Sequence, residues 1–157
     1  MILSNELILT KPILGCKNTE GKPRQLLRDE QNLPGLVDVV WKTNFEAAAS
    51  ALGIEFTSDM VSLPTGYQAN KTEEFLRTYS KFKKERFESI PKGSRISFDV
   101  ILNDNKLPPR DYAKILAVVG ERFGISQFGN KFGFGRFKVE FIKRKSVDVK
   151  LDFEYPE

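Results

Sequence analysis

An α+β fold of the ferredoxin-like, split βαβ type follows from three features of the sequence. Residues 37–52 and about 108–123 carry apolar side chains at spacings of three and four, the signature of helices with one buried face. Each of these stretches ends at a glycine, Gly53 or Gly124, placed to cap a helix C-terminus. Strand-like stretches surround them in the order strand, helix, two strands, helix, strand, which predicts an antiparallel sheet with two helices on one face.

The elements follow in chain order. Residues 2–10 (ILSNELILT) read as the first strand, and Lys11-Pro12 ends it, because proline cannot donate to a ladder and restrains the residue before it. Residues 11–35, with Gly15, Gly21, Pro23, Pro34 and Gly35, read as a long loop. Val37, Val40, Trp41, Phe45, Ala48 and Leu52 define one face of the first helix. Residues 54–63 alternate only partly, Pro64 to Asn70 form a turn-rich break, and 71–83 fit either a helix face or a strand through Phe75, Tyr79 and Phe82.

ERFESI, PKG and SRISFDVIL then read as a hairpin over residues 84–102, with Ile96, Phe98, Val100 and Leu102 alternating. Pro108, Pro109 and Asp111 suit the first turn of the second helix, whose stripe is Tyr112, Ile115, Leu116, Val119 and Phe123. After a glycine-rich connection, RFKVEFIKR reads as a strand with Phe137, Val139 and Phe141 on one face, and residues 147–153 read as a last strand. The chain is thus expected to form one domain, 1–157, with its core in about 2–53 and 84–144 and an insertion at about 54–83. Trp41, Phe45, Phe98, Ile115, Val119 and Phe137 are the expected core.

Composition removes whole classes of function. With 157 residues, 40% of them hydrophobic and 29% charged, the chain suits a soluble domain that folds without metal or disulfide. No apolar run approaches the roughly 20 residues of a membrane helix, and the N-terminus lacks the pattern of a secretory signal, so a cytoplasmic protein is expected. There is no histidine, which excludes Ser-His-Asp and Cys-His catalysis and His-ligated metals. The single cysteine, Cys16, has no histidine to activate it and reads as an inert thiol. Asp29-Glu30, Glu73-Glu74 and the pair Asp148 and Asp152 show no convergence on a hard cation. The expectation is a protein with no catalytic site, metal or cofactor.

Charge is distributed unevenly. Residues 81–145 hold sixteen Lys and Arg against seven Asp and Glu, a net +9, whereas residues 146–157 carry a net −3. A basic stretch of this kind attracts a phosphate backbone, and it also serves as a solvated surface. Its densest part is GERFGISQFGNKFGFGRFKV, where glycines allow close backbone approach, aromatics offer flat surfaces for bases, and Lys and Arg offer phosphate contacts. Phe132 and Phe134 have the opposite parity to Phe137, so a strand beginning early would turn them away from the core, beside Arg136 and Lys138. No Walker-type loop, no dinucleotide fingerprint and no match to the RNA-recognition-motif signature is present.

The order of elements, with FGISQFGNKFGFGRFKV between the second helix and its last strand, resembles the RAMP superfamily, the ferredoxin-like RNA-binding proteins of CRISPR effector complexes. IPKGSRISFDVIL is similar to the hairpin that leads into the third strand of such units, and LPGLVDVVW is similar to the segment that opens their first helix. The resemblance spans about residues 2–142 and implies RNA and neighbouring protein subunits as partners. Processing ribonucleases of the superfamily often use histidine, so its absence here implies a binder and not a nuclease.

The function expected is non-enzymatic binding of RNA or of single-stranded nucleic acid. Arg122, Lys131, Arg136 and Lys138 are the expected phosphate contacts, Phe132 and Phe134 the stacking surfaces, and Lys22, Arg24 and Arg28 of the long first loop a clamp. The alternative is a small protein-interaction or assembly protein, of a kind a phage or mobile element encodes, with no nucleic-acid ligand.

Overall fold

The computed structural model describes residues 1–15, 17, 21–34, 38–62, 66–69, 72–78, 84–126 and 132–145; for 38–40 and 76–78 the backbone alone is described. The expected last strand at 147–153 lies outside these residues, as do Val37, Tyr79, Phe82 and Cys16.

The strict alternation of the first strand, β1 (Ile2–Leu9), buries Leu3, Asn5, Leu7 and Leu9 and leaves Ile2, Ser4, Glu6 and Ile8 half-buried on the other face. The chain then forms β2 (Ile13–Leu14), α1 (Asp38–Leu52), β3 (Val61–Ser62), β4 (Gln68–Ala69), β5 (Glu73–Thr78), β6 (Lys84–Ile90) and β7 (Arg95–Leu102). It closes through α2 (Pro109–Val118), a π-helical turn at Val119–Phe123, and β8 (Phe137–Lys145). The main sheet has the order β3-β7-β1-β8, with β4 also paired to β7. All its pairings are antiparallel.

Both helices bury their apolar stripes with this sheet, and the six expected core residues are all buried in one cluster. Trp41 sits at its centre, its ring centroid 5.5 Å from those of Phe45 and Phe98, while Phe45 stacks on Tyr112 at 6.1 Å. Such contacts add about 0.5–1.5 kcal/mol each beyond area burial. Leu52, expected on the buried face of α1, is exposed in the last turn, and Gly53 follows it at φ 69°. The Ile54 amide bonds back to the Ala49 carbonyl at 2.9 Å, closing the helix.

One polar group in the core is fully used. Asn5 is buried in β1; its amide donates to the carbonyls of Leu3 and Phe98, and its Oδ1 accepts from the Tyr112 hydroxyl at 2.9 Å. Burial pushes the Tyr112 hydroxyl far above its ordinary pKa, so it remains a donor.

Two readings are corrected. The stretches 84–90 and 94–102 follow one another through a Pro91–Ser94 turn but do not pair as a hairpin. Instead β6 belongs to a second sheet, β2-β6-β5, where Arg24 on one side and β5 on the other take both of its edges. The place beside β7 is filled by β3 and β4, from the span read as an insertion. Residues 71–83 resolve in favour of a strand, since 73–78 form β5.

The second correction concerns Phe141. A bulge in β8 leaves Leu7 opposite Val139 but Glu6 opposite Phe141, so the extra residue, Glu140, flips the parity. Val139 and Ile142 face the core, and Phe141 faces the open side of the sheet with Glu6 and Ser4.

Two expected outcomes follow from this core. Phe137→Ala should lower unfolding free energy by about 3–5 kcal/mol, and Tyr112→Phe by about 1–3 kcal/mol because it strands a buried acceptor; urea denaturation of both variants checks this. On the open face, the hydrogen bond from Lys145 holds the Asp99 carboxyl below its usual 3.8. That pair contributes stability above the ordinary carboxylate range and loses it as pH falls through the lowered value. A carboxyl NMR titration should show Asp99 moving back up in Lys145→Met.

Candidate nucleic-acid interface

The glycine-rich corner is built by close crossing of backbone. At the end of α2 the helix widens, and the Gly124 amide bonds to the Val119 carbonyl, five residues back, at 2.7 Å. This turn lies directly on the start of β8: a Cβ on Gly120 would stand 2.4 Å from the Phe137 carbonyl oxygen and 2.6 Å from its ring. Gly135, at φ 79°, crosses residues 125 and 126 so closely that a Cβ would stand 2.2 Å from the Ser126 amide. These glycines were read as room for a ligand; the structure uses them to bring the chain against itself.

The crossing leaves a groove of about 580 Å³ beside the outer strand. Ala117, Gly120 and Glu121 form one wall, Phe137, Lys138 and Val139 the other, and Thr10, Lys11 and Arg136 complete it. Its lining is mostly apolar and includes three cationic residues and one carboxylate. Lys11 and Lys138 are exposed and have no ion-pair partner among the described residues. The amides of Thr10 and Lys11 both donate to the Arg136 carbonyl, at 2.9 and 3.2 Å, which fixes Lys11 and Arg136 side by side. The Arg136 guanidinium lies over Gly133, reaches the Arg122 carbonyl at 3.4 Å, and keeps its Nε buried without a hydrogen-bond partner.

Of the residues singled out in the sequence, Arg122, Arg136 and Lys138 come together at this corner. Phe132 is 61% exposed in the turn that precedes Arg136. Phe134 is half-buried and packs edge-on against Phe75 of β5 at 5.8 Å. The parity expected for these two rings does not operate, because β8 begins only at Phe137 and Gly133 and Gly135 turn the chain at positive φ. Lys131 lies outside the described residues.

The three cations of the first loop are placed differently. Lys22 is exposed. Arg24 pairs with Glu85, and Arg28 pairs with Glu88 at 2.8 Å and donates to the Asn32 carbonyl, so both hold the loop to β6. The groove also takes in Thr10, read in the sequence as the end of the first strand, and Lys11, read with Pro12 as its stop at the start of the long loop. The signal was there: a lysine before a proline at a strand end is left at the surface.

Among the described residues, no group of three or more His, Cys, Asp or Glu is placed to hold a metal ion. Asp29 accepts from the Gln31 and Leu33 amides, Glu74 is within 3.8 Å of Arg86, and Asp148 and Asp152 lie outside the described residues. No helix among those residues is long and apolar enough to cross a membrane.

No protein-family model and no curated protein matches the sequence. The fold, by contrast, is shared with solved structures of CRISPR complexes, in keeping with the RAMP-like resemblance of the sequence. It superposes on a chain of the Type III-B Cmr-beta bound to cognate target RNA with a TM-score of 0.59 at 14% identity, over 90% of this chain. This chain spans 59% of that chain's length. It superposes on a chain of a Type IV-B CRISPR complex with a TM-score of 0.56 at 8% identity, covering 99% of this chain and 96% of that one.

The corner's geometry makes its glycines stability residues. Gly120→Ala should destabilise the protein by about 1–3 kcal/mol, because the atoms it meets belong to backbone and a buried ring. Gly53→Ala, which meets nothing within 4 Å, should pay only for its positive φ, roughly 1–2 kcal/mol. Urea denaturation checks both losses, and amide chemical shifts separate the two: only the Gly120 change should also shift the signals of Phe137 and Lys138.

Proposed function

We propose that this chain is a non-enzymatic RNA-binding protein of RAMP-like type, which holds a single strand at the glycine-rich corner and works among protein subunits of a larger complex in the cytoplasm. The observation that carries the reading is the groove beside β8, whose mostly apolar lining includes Lys11, Arg136 and Lys138 against the one carboxylate of Glu121. Phosphates are recognised by such converging cations, and bases by apolar and aromatic surfaces beside them. The likeness of the fold to chains of CRISPR complexes, one of them bound to target RNA, supports the same reading.

Roles divide by chemistry. Arg136 and Lys138, with Lys11 and Arg122 beside them, meet phosphates. Phe132, the exposed ring of the corner, stacks on a base. Phe134 supports the turn from beneath through Phe75. Arg24 and Arg28 shape the first loop through their pairs with Glu85 and Glu88, and Lys22 and Lys131 add charge.

The test is RNA binding by fluorescence anisotropy over a salt series. Arg136→Ala and Lys138→Ala should each weaken binding of every sequence and flatten the salt slope by about 0.7. Phe132→Ala should cost about 1–3 kcal/mol of affinity with the slope unchanged. No RNA binding by the folded wild type at low salt would overturn the reading and leave a protein-assembly role in its place.

A further inference from the structure

The open face of the main sheet carries a second set of groups that the groove does not use. The bulge at Glu140 places Phe141 on that face, opposite Glu6, while Lys138 stands opposite Ile8 and Lys143 opposite Ser4. Phe141 is half-buried, and the Lys143 ammonium lies 4.6 Å from its ring centroid. The carboxylates of this face are engaged within it: Glu6 with Arg95 at 3.2 Å, and Asp99 with Lys145 at 2.8 Å. Lys138 and Lys143 are exposed and have no ion-pair partner among the described residues.

Lys138 belongs to both surfaces, because it lines the groove and projects from the open face. Among the described residues β8 is the outer strand of its sheet, and no described strand separates the two. We infer that the bound strand continues from the groove around Lys138 onto the open sheet face, where Phe141 is a second base-stacking platform and Lys143 takes the phosphate beside it.

This rests on the reading of the groove as an RNA site, and continuity with it, together with cations that have no ion-pair partner among the described residues, selects nucleic acid as the occupant. Lys138 and Lys143 are five residues apart on one strand, which a bulge shortens to roughly 15 Å. That distance accommodates about four stacked nucleotides. The path ends at a cleft of about 390 Å³, where Gln68, Ser97, Asp99 and Lys145 offer donors and acceptors to base edges. The Lys143 ammonium lies over the Phe141 ring in the free protein. A base displaces it, and the lysine then swings to the phosphate, so the contact is exchanged for two.

The experiment measures binding of an oligouridine of about 16 nucleotides to wild type, Phe141→Leu, Phe141→Tyr, Lys143→Gln and Arg136→Ala. Phe141→Leu, which keeps an apolar side chain and the fold, should weaken binding by about 5-fold or more, and Phe141→Tyr should restore it. Lys143→Gln should flatten the salt slope by about 0.7. If Phe141→Leu and Lys143→Gln bind as wild type while Arg136→Ala is weakened, the track stops at the groove and this inference falls while the RNA site stands. If wild type binds no oligouridine at low salt, both fall. If sedimentation shows self-association that Phe141→Leu abolishes with RNA affinity unchanged, the face is a protein interface and the inference is overturned.

Discussion

The crossing of two backbone segments at the glycine-rich corner is the constraint on which the remaining architecture rests. Gly120 lets the π-helical turn sit on Phe137, and Gly135 lets the start of β8 cross residues 125 and 126. Three further ties converge there: the Gly135 amide on the Pro12 carbonyl, the Leu14 amide on the Ser126 hydroxyl, and the buried Asn44 amide on the Gly124 carbonyl. Through the first two, the second sheet is fastened to the first; through the third, α1 is. Buried polar groups left unpaired would each cost about 1–3 kcal/mol, so the corner is held by satisfaction of its backbone as much as by burial.

The proposed function rests on what this crossing leaves at the surface. The turn packs closely against β8, and the groove left there is lined by Lys11, Arg136 and Lys138 together with Ala117, Phe137 and Val139. The contrast with Arg24 and Arg28 is instructive. Those cations carry the same formal charge but lie within reach of Glu85 and Glu88, which lowers the potential they present. Exposed pairs of this kind contribute at most about 1 kcal/mol of stability each, yet they decide which cations remain open to a phosphate.

Much of the architecture was legible in the sequence because its determinants are local. The helix stripes, the capping Gly53 and Gly124, and the alternation of Ile96, Phe98, Val100 and Leu102 report burial directly. What was not legible depends on partners distant in the chain. Whether β6 pairs with β7 is decided by Arg24 and β5 claiming its edges, which no pattern within ERFESI reveals. The single extra residue in β8 reverses the face of Phe141, and period-two reading carries no signal for a bulge without a glycine. At the candidate site, the density of Gly, Phe, Lys and Arg pointed to the corner where Arg122, Arg136 and Lys138 meet. The role of each glycine and the partner of Phe134 required the fold.

The central claim is that a single strand of RNA lies along the groove beside β8. Amide chemical-shift mapping of the isotope-labelled protein, titrated with an oligoribonucleotide at low salt, tests this most directly. The account predicts progressive shifts concentrated at Lys11, Gly120, Glu121 and residues 132–138, with the buried amides of α1 unmoved. Shifts confined to β5 and β6, or none at saturating RNA, would contradict it.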